Sequence, residues 1–275
     1  MIWILLPAYN EEPSFPPLTA KIRESMEKIG ARYRIVVVND GSRDRSASVL
    51  DDIAKTTPVE VLTHKYNRGL GETIRDGLEY IAEHSAPEDV VVRMDCDDTH
   101  EPEYIAKMIA KLNEGYEVVI ASRYQPGGGV IGLDWYRRSI SRTANLMLKA
   151  WFPMPHIWEY TCGYRAYRAS LIKDLLEIFG NKLIDLKGLG FTGTIEKLVK
   201  CRMVRARVVE IPFMLHYHQK RSVSKVVTSI TTLGYLVLMA KYMTWWGDEG
   251  QQWRTACEAR AHRMAESTLP PVSTS

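Results

Sequence analysis

The chain has 275 residues, of which 45% are hydrophobic, and its 36 Lys and Arg residues nearly balance its 33 Asp and Glu residues, for a formal net charge of +3. This balance excludes the strong basicity typical of nucleic-acid-binding proteins, and the length suffices for one large α/β domain with its own core. The four cysteines form no Cys-x-x-Cys pair, which argues against a structural zinc site or a dense disulfide framework and fits a reducing cytoplasm.

The N-terminal run MIWILLPAYN is apolar, too short for a signal peptide and without a basic leader, so it predicts a first strand and no export. After this strand at residues 2–6, further apolar runs predict strands at 35–38, 59–62, 90–94 and 118–121. Segments between them, such as 18–29 and 104–112, have the apolar spacing of helices. Strands that are apolar throughout belong to parallel sheets covered on both faces. The sequence therefore predicts an α/β fold with a mostly parallel sheet flanked by helices.

Polar residues follow four of these strands, with the sequences PAYNEE, NDGS, DCDD and SRY. Because the carboxyl ends of parallel strands meet at one edge of the sheet, we expect these residues to form one site. An Asp-x-Asp motif alone arises about once by chance in a chain of this length. At a strand end, however, Asp95 and Asp97 are placed to bind a divalent metal together with a nucleotide pyrophosphate.

Other nucleotide-binding folds are disfavoured by the loops after the strands. The chain has no Gly-x-x-x-x-Gly-Lys-Ser/Thr loop, and no Gly-x-Gly-x-x-Gly motif follows the first strand, so neither a P-loop hydrolase nor a Rossmann dehydrogenase is predicted. Asp40 before Gly41 can accept a hydrogen bond from a base or ribose, and Tyr9 offers a ring to a base, although each taken singly also fits a turn. The run NRGLG after the third strand is expected to open a helix.

Seven segments in order carry a family resemblance: PAYNEE, NDGSRDRS, NRGLGETIRDG, MDCDDTHEP, ASRYQPGGG, RRSISRTAN and EYTCGYRAYR. They resemble the family-2 glycosyltransferases of the GT-A fold, and within that family they are most similar to the dolichol-phosphate and polyprenyl-phosphate mannose synthases. The resemblance runs from about residue 2 to residue 225. It implies a GT-A domain over 1–225 that binds a nucleotide sugar.

The resemblance assigns site residues by their place in these motifs. Those implied to bind the nucleotide sugar are Pro7, Tyr9, Glu11, Val38, Asp40, Asp95, Cys96, Asp97, Arg123 and Lys225. Of these, Asp97, Arg123 and Lys225 are the expected catalytic residues: Asp97 would hold the metal that stabilises charge on the departing nucleoside diphosphate, and Arg123 and Lys225 would add to that stabilisation. The implied metal, Mg²⁺ or Mn²⁺, has Asp95, Asp97 and Thr99 as expected ligands.

The chain departs from the family pattern at several positions. Thr99 stands where some relatives have Gln as a metal ligand, so water or Asp98 remains an alternative third ligand. Gln219 stands where the family has Arg, and either neighbour, Lys220 or Arg221, can substitute after a small shift. Two further departures are Ser222, where Gly is usual, and Glu159, where Asp is common.

The resemblance implies inverting transfer of a hexose, with mannose and a GDP-mannose donor favoured, to a polyprenyl or dolichyl phosphate. A phosphate monoester is largely ionised at neutral pH, so its oxygen can attack without a strong general base. In agreement, the Gln-x-x-Arg-Trp element of processive polysaccharide synthases is missing. The expected acceptor-phosphate site is Arg137, Arg138 and Arg142, although spacing alone fits a solvated basic helix face nearly as well.

Several alternatives to this function remain open. Within the family they are transfer of glucose or another sugar, and transfer to a non-lipid acceptor. A non-catalytic nucleotide-sugar-binding protein would keep the fold but need not keep every charged strand end. A sugar-phosphate nucleotidylyltransferase is disfavoured, because those enzymes usually carry a Gly-rich loop with Arg where this chain has PAYNEE.

The C-terminal part predicts a helical segment at 226–266 and a flexible tail at 267–275. Residues 226–246 are largely apolar but are interrupted by Ser, Thr and Lys241, so an interfacial helix is favoured over a membrane span. Trp245 and Trp246 suit a headgroup boundary. Packing of this helix on the domain or in a homodimer is the equal alternative. The expected location is the cytoplasm, with peripheral contact to the cytoplasmic face of a membrane.

Overall fold

The computed structural model describes residues 1–222, 228–243 and 248–267. All five strands predicted from the sequence are present, each with bounds within two residues of the prediction: β1 (Ile2–Ala8), β2 (Tyr33–Asn39), β3 (Val59–Thr63), β4 (Val90–Arg93) and β5 (Val118–Ser122). Four later strands are β6 (Gly129–Ile131), β7 (Arg165–Arg168), β8 (Val208–Pro212) and β9 (Met214–His216).

Seven strands of the described chain form one sheet in the order β3-β2-β1-β4-β7-β5-β8. β1 pairs in parallel with both β2 and β4, and β5 pairs in parallel with β8. β7 is antiparallel to both of its neighbours, β4 and β5. The strands β6 and β9 form a separate small sheet. The expectation of a mostly parallel sheet is confirmed, and the antiparallel β7 is an addition to it.

Helices cover both faces of the sheet, as the apolar strands require. In chain order they are α1 (Phe15–Ile29), α2 (Ser46–Ala54), α3 (Leu70–His84), α4 (Tyr104–Asn113), α5 (Trp135–Trp151), α6 (Ala169–Phe179), α7 (Thr192–Met203), α8 (Thr228–Met243) and α9 (Asp248–Ser267). Successive side chains of β1 point to opposite faces, so Leu5 belongs to the apolar layer under α3 and α6, and Ile4 to the layer under α1 and α4. β1 is buried along its whole length, which explains why its sequence does not alternate.

Part of the predicted C-terminal helical segment packs on the domain. On α8, Leu238, Met239 and Tyr242 are buried, and the Trp151 indole of α5 donates to the Met239 carbonyl at 3.1 Å. On α9, Arg260 is buried and bonds to Asp174 at 2.6 Å. Within the ranges that the structure describes, no helix is long and apolar enough to cross a membrane. Trp245, Trp246 and residues 268–275 lie outside those ranges.

Candidate functional site

The carboxyl ends of β1, β2, β4 and β5 open onto one cavity of about 730 Å³, a size within the usual range for small-molecule sites. Because these strands are parallel, the polar residues that follow them meet at one edge of the sheet. The sequence-predicted residues that line the cavity are Pro7, Tyr9, Glu11, Asp40, Asp95, Cys96, Asp97, Thr99 and Arg123. The structure therefore brings together most of the predicted nucleotide-sugar and metal site.

Other predicted residues lie elsewhere. Val38 does not line the cavity: it is fully buried on the α3 side of the sheet, where it packs over Gly77. The expected acceptor-phosphate residues Arg137, Arg138 and Arg142 lie on the exposed part of α5 and not in the cavity wall. Of these, Arg137 contacts the hydroxyl of the cavity residue Tyr217 at 3.2 Å. Lys225 lies outside the described residues.

The first carboxylate of the motif, Asp95, is held by two buried side chains. Its Oδ1 lies 2.7 Å from Nη2 of Arg93, a guanidinium whose residue is 2% exposed. The backbone N–H of Asp95 donates to Nδ1 of His100 at 2.9 Å, which places the ring proton on Nε2, 3.6 Å from Asp95 Oδ2. Burial lowers the pKa of His100, so the ring is neutral near pH 7. Asp95 is therefore a fixed carboxylate whose charge is balanced by Arg93.

The second carboxylate, Asp97, has different partners. Its Oδ1 accepts from the Thr99 hydroxyl at 2.7 Å, and its Oδ2 accepts from the Lys220 ammonium. Burial alone would raise the pKa of Asp97, but the charge and hydrogen bond of Lys220, together with the neighbouring His100 and Thr99, outweigh it and the pKa is lowered. Asp97 is therefore ionised and already paired with a cation. Lys220 is one of the two residues named above as substitutes for the family Arg.

The two candidates for a third metal ligand point in different directions. Thr99 lines the cavity beside Asp97. Asp98 has a left-handed backbone with φ of 62°, and its carboxylate lies 3.0 Å from the Lys21 ammonium and outside the cavity wall. The geometry therefore favours Thr99 over Asp98 as the protein ligand next to Asp97.

Asp40 organises the loop that follows β3. Its Oδ1 accepts from the Arg68 backbone at 2.8 Å and its Oδ2 from the Gly69 backbone at 2.8 Å. His64 also contacts Oδ1 at 2.7 Å, and its other ring nitrogen lies 3.0 Å from Asp76. Both carboxylate oxygens of Asp40 thus accept hydrogen bonds from the protein's own loop. The expected direct contact of Asp40 with nucleotide is accompanied by a structural role that its sequence context did not predict.

The loop held by Asp40 lines the cavity with Asn67, Arg68 and Gly69. The prediction that NRGLG opens a helix is confirmed, since α3 begins at Leu70. Residue 41 must be a glycine where it packs against this loop. A Cβ on Gly41 would lie 2.6 Å from the carbonyl carbon of Tyr66, and the φ of Gly41 is 67°. The loop therefore forms a wall of the site as well as the start of a helix.

Arg123 faces the cavity while paired with a buried acid. Its Nε and Nη2 donate to the two oxygens of Glu159 at 2.7 and 2.8 Å, and Nη2 also donates to Thr161 at 2.8 Å. Glu159 is completely buried and accepts another bond from the Cys162 backbone at 2.9 Å. Burial alone would lower the pKa of Arg123, but Glu159 outweighs it and the pKa is raised. Arg123 is thus a fixed, permanently charged group whose charge is largely balanced.

The wall contributed by residues 187–191 was not found from the sequence. It consists of Lys187, Gly188, Gly190 and Phe191, and Ile230 of α8 lies with it in the cavity lining. The glycine-rich run KGLGFTG at 187–193 is the one signal that sequence analysis could have used. Such a run predicts a loop but not its position, so this wall is a product of the tertiary fold.

The donor atoms at this edge fit a hard divalent cation. Asp95, Asp97 and Thr99 offer oxygen ligands, and the ammonium bound at Asp97 marks a place that accepts positive charge. Over the described ranges, no three His, Cys, Asp or Glu side chains converge into a complete metal cage. Mg²⁺ is commonly bound by one or two carboxylates together with substrate phosphates. The residues therefore fit a metal that shares its ligands with a bound diphosphate.

Comparison with known proteins agrees with this geometry. A family model described as "Glycosyl transferase family 2" matches residues 3–176. The dolichol-phosphate mannosyltransferase of Pyrococcus furiosus is 30% identical over 246 residues, which is 89% of this chain and 64% of that protein. The polyprenol monophosphomannose synthase of Mycolicibacterium smegmatis is 30% identical over 190 residues, which is 68% of each chain. The chain thus spans slightly under two thirds of the first relative's length.

Among solved structures, glucosyl-3-phosphoglycerate synthase from Mycobacterium tuberculosis, crystallised with Mn²⁺ and UDP, superposes with a TM-score of 0.57. The two are 17% identical, and the match covers 89% of this chain and 79% of the other. At this identity the likeness shows the shared α/β GT-A fold alone. The matched family model covers more than half of the residues. The protein therefore belongs to glycosyl transferase family 2.

Proposed function

We propose that this protein is an inverting, metal-dependent glycosyltransferase that moves a hexose, with mannose favoured, from a nucleotide diphosphate sugar to a polyprenyl phosphate. The observation that carries the proposal is the placement of Asp95 and Asp97 in the same cavity as the ends of β1 and β2. The names of the Pyrococcus and Mycolicibacterium relatives support the sugar and the lipid acceptor.

The donor would lie across the strand ends. Tyr9 and the loop at Asn67 and Gly69 line one part of the cavity, which suits a nucleoside. Asp95, Asp97 and Thr99 would hold Mg²⁺ or Mn²⁺ beside the pyrophosphate. When bound, the metal would offset the negative charge that develops on the leaving nucleoside diphosphate. Arg123, whose charge Glu159 largely balances, contributes a fixed guanidinium to the same wall, and Lys225 is the proposed second basic group.

The transfer step needs no proton abstraction. An ionised oxygen of the acceptor phosphate forms a bond to the anomeric carbon as the bond from that carbon to the pyrophosphate oxygen breaks, and the electron pair leaves with the nucleoside diphosphate. Attack from the opposite side inverts the anomeric configuration. Since the second pKa of a phosphate monoester is about 6, this oxygen is already deprotonated at neutral pH. The protein's task is therefore to position both phosphates and balance their charge.

A lipid acceptor is supported by two exposed apolar helix faces. On α5, Trp135 is 77% exposed and Leu146 is 64% exposed, and on α8 Leu233 is 55% exposed. Arg137, Arg138 and Arg142 lie on the same α5 helix, so basic and aromatic side chains occur together. Such a combination is typical of helices that lie in the headgroup region of a membrane. We propose that α5 and α8 contact lipid and that the three arginines meet the acceptor phosphate.

The reaction is tested with purified protein, Mn²⁺, radiolabelled GDP- and UDP-sugars and a short polyprenyl phosphate. We expect labelled lipid from GDP-mannose and its loss in Asp97→Ala. The matched control is Asp52→Ala, which removes an exposed carboxylate on α2. Full turnover by Asp97→Ala would refute the metal assignment. Labelling of a soluble acceptor with no lipid product would refute the proposed polyprenyl phosphate acceptor. Preference for another nucleotide sugar would refute the assignment of mannose or of GDP in the donor.

The membrane contact is tested by flotation with anionic liposomes. The double variant Trp135→Ser with Leu146→Ser should float less than wild type, because it removes apolar surface from α5. Tyr66→Ser is the control, since Tyr66 is an exposed aromatic residue outside both helices. Equal flotation of all three proteins would remove α5 from the proposed membrane face.

A further inference from the structure

The two carboxylates of the Asp-x-Asp motif are each paired with one cation, and the two cations differ in freedom. Arg93 cannot leave Asp95: it is 2% exposed, and its Nη1 lies 1.3 Å from the position that a Cβ on Gly163 would take. The guanidinium therefore fills the space above that glycine. Because Arg93 is fixed, the charge of Asp95 is balanced whether or not a ligand is bound.

Lys220 is placed to move. It follows the short 3₁₀-helix Tyr217–Gln219, its side chain is 14% exposed, and it lines the cavity directly. Its ammonium is carried on a flexible four-carbon stem and donates to Oδ2 of Asp97. This contact joins residues that are 123 positions apart in the chain. Of the two cations at the motif, Lys220 is the one that can exchange.

We infer that Lys220 is a built-in counter-cation of Asp97, which the divalent metal must displace and which then binds the diphosphate of the nucleotide. The inference rests on the proposed function for the identity of the metal and the nucleotide. In this inference, Lys220 competes with the metal for Asp97 and changes its binding partner when the metal binds. Lys220 is thus a positioning residue for the metal and a binding residue for the donor.

Charge and geometry explain why the two cations exchange. With Asp95 already balanced by Arg93, Asp97 supplies one net negative charge at the motif, and Lys220 satisfies it. A divalent cation on the same carboxylate would repel the ammonium at contact distance. A diphosphate brings new negative oxygens into the cavity that Lys220 already lines. Displacement of Lys220 is therefore unfavourable with metal alone and favourable when metal and nucleotide bind together.

This exchange makes the two ligands cooperative. The nucleotide gives Lys220 a new partner, so it lowers the free energy needed to free Asp97 for the metal. By linkage, the metal must strengthen nucleotide binding by the same factor. Removal of the ammonium should then have opposite effects on the two ligands: tighter binding of metal alone and weaker binding of nucleotide in the presence of metal. Loss of a merely structural contact would not produce changes of opposite sign.

The test is titration of the full chain with Mn²⁺, followed by electron paramagnetic resonance, with and without GDP or UDP. Lys220→Gln removes the charge and keeps a hydrogen-bond donor for Asp97, and Lys220→Met removes both. We expect each to bind Mn²⁺ alone about tenfold more tightly than wild type, an effect between those of losing an exposed and a fully buried ion pair. With saturating Mn²⁺, each should bind the nucleotide more weakly.

Two further variants complete the design. Lys220→Arg keeps the charge and should behave as wild type in metal binding. Lys28→Met removes an exposed lysine of α1 that pairs with Glu24 and lies outside the cavity wall, and should leave both affinities unchanged. Equal Mn²⁺ affinity in wild type, Lys220→Gln and Lys220→Met would overturn the exchange of cations and leave the transfer reaction intact. Opposite changes in affinity without transfer to any acceptor would refute the proposed reaction and leave the exchange.

Discussion

The buried pair of Arg123 and Glu159 permits a quantitative prediction of stability. Glu159→Gln keeps the shape of the side chain but removes its charge, so the guanidinium of Arg123, which is 10% exposed, is left without its counter-ion. The carboxylate also accepts from the backbone of Thr161 at 3.1 Å and of Cys162 at 2.9 Å. Removing one member of a buried pair costs about 3–5 kcal/mol. We expect a loss near the lower limit, about 3 kcal/mol, because Arg123 keeps some contact with solvent in the cavity.

The assay is urea unfolding at pH 7, with the free energy of unfolding extrapolated to water. Glu12→Gln is the matched control, because Glu12 pairs with Arg45 on the surface, where the arginine side chain is 82% exposed. This control should change stability little. If Glu159→Gln lowers the free energy of unfolding by less than about 1 kcal/mol, the pair is worth no more than a neutral hydrogen bond and the reasoning fails.

The same pair predicts a pH dependence. Burial alone would raise the pKa of Glu159, but the charge and hydrogen bonds of Arg123, together with the hydrogen bonds from Cys162 and Thr161, outweigh it and the folded-state pKa is lowered. A lowered folded-state pKa means that the stabilisation is complete above the unfolded pKa of about 4.3 and is lost as the pH falls through the folded value. The stability difference between wild type and Glu159→Gln should therefore be constant from about pH 6 to 8 and shrink in acid. A constant difference down to about pH 2 would contradict this assignment.

Three further predictions concern the cavity and its support. Gly163→Ala should lower the melting temperature strongly, because the added Cβ would overlap the buried guanidinium of Arg93. Gly188→Ala is the control and should leave the melting temperature unchanged, because a Cβ at Gly188 would have no atom within 4 Å. Equal melting temperatures of the two variants would contradict this packing. His64→Leu should weaken GDP or UDP binding about tenfold in calorimetry, because it removes one of the three contacts that hold Asp40 beside its loop. Unchanged affinity would show that His64 does not support the site. All four free cysteines are buried, and burial raises the pKa of Cys162 to about 12. Ellman's reagent should therefore react slowly with the folded protein, whereas in urea it should titrate four thiols. Rapid reaction of the folded protein would be inconsistent with this burial.

The sheet was predictable where burial on both faces leaves a continuous apolar run. This holds for β1, β4, β5 and most of β2, while β3 is only half-buried. It fails for β7, whose sequence RAYR begins with Arg165, a fully buried arginine. Its guanidinium is satisfied by the carbonyls of Tyr160, Cys162 and Thr194 at 2.7 to 3.0 Å. Two of these carbonyls lie three and five residues before Arg165 and the third lies 29 residues after it. A pattern of apolar residues contains none of them, so the segment shows no strand signal. Tertiary hydrogen bonds override the local preference of this strand.

The site was predictable to the extent that strand ends share one edge of the sheet. The prediction placed Asp95, Asp97 and Asp40 near one another, and they line one cavity. Val38 lies apart from these residues because side chains alternate along β2, and the alternation turns Val38 into the core on the α3 side. The walls at 67–69 and 187–191 come from loops whose positions depend on the fold. Motifs thus indicated which residues share the cavity, while the surrounding surface required the structure.

The position of β7 has a consequence for how the protein is made. β4 and β5 carry the acidic motif and Arg123, yet they meet only through β7, which is translated some forty residues after β5. Adjacent strands lie about 4.8 Å apart, so without β7 a gap of about 10 Å would separate two unpaired edges. A nascent chain therefore exposes both edges until Arg168 has left the ribosome, and exposed edges favour aggregation. The stretch that matches the family, 3–176, ends only after β7 has joined β4 to β5.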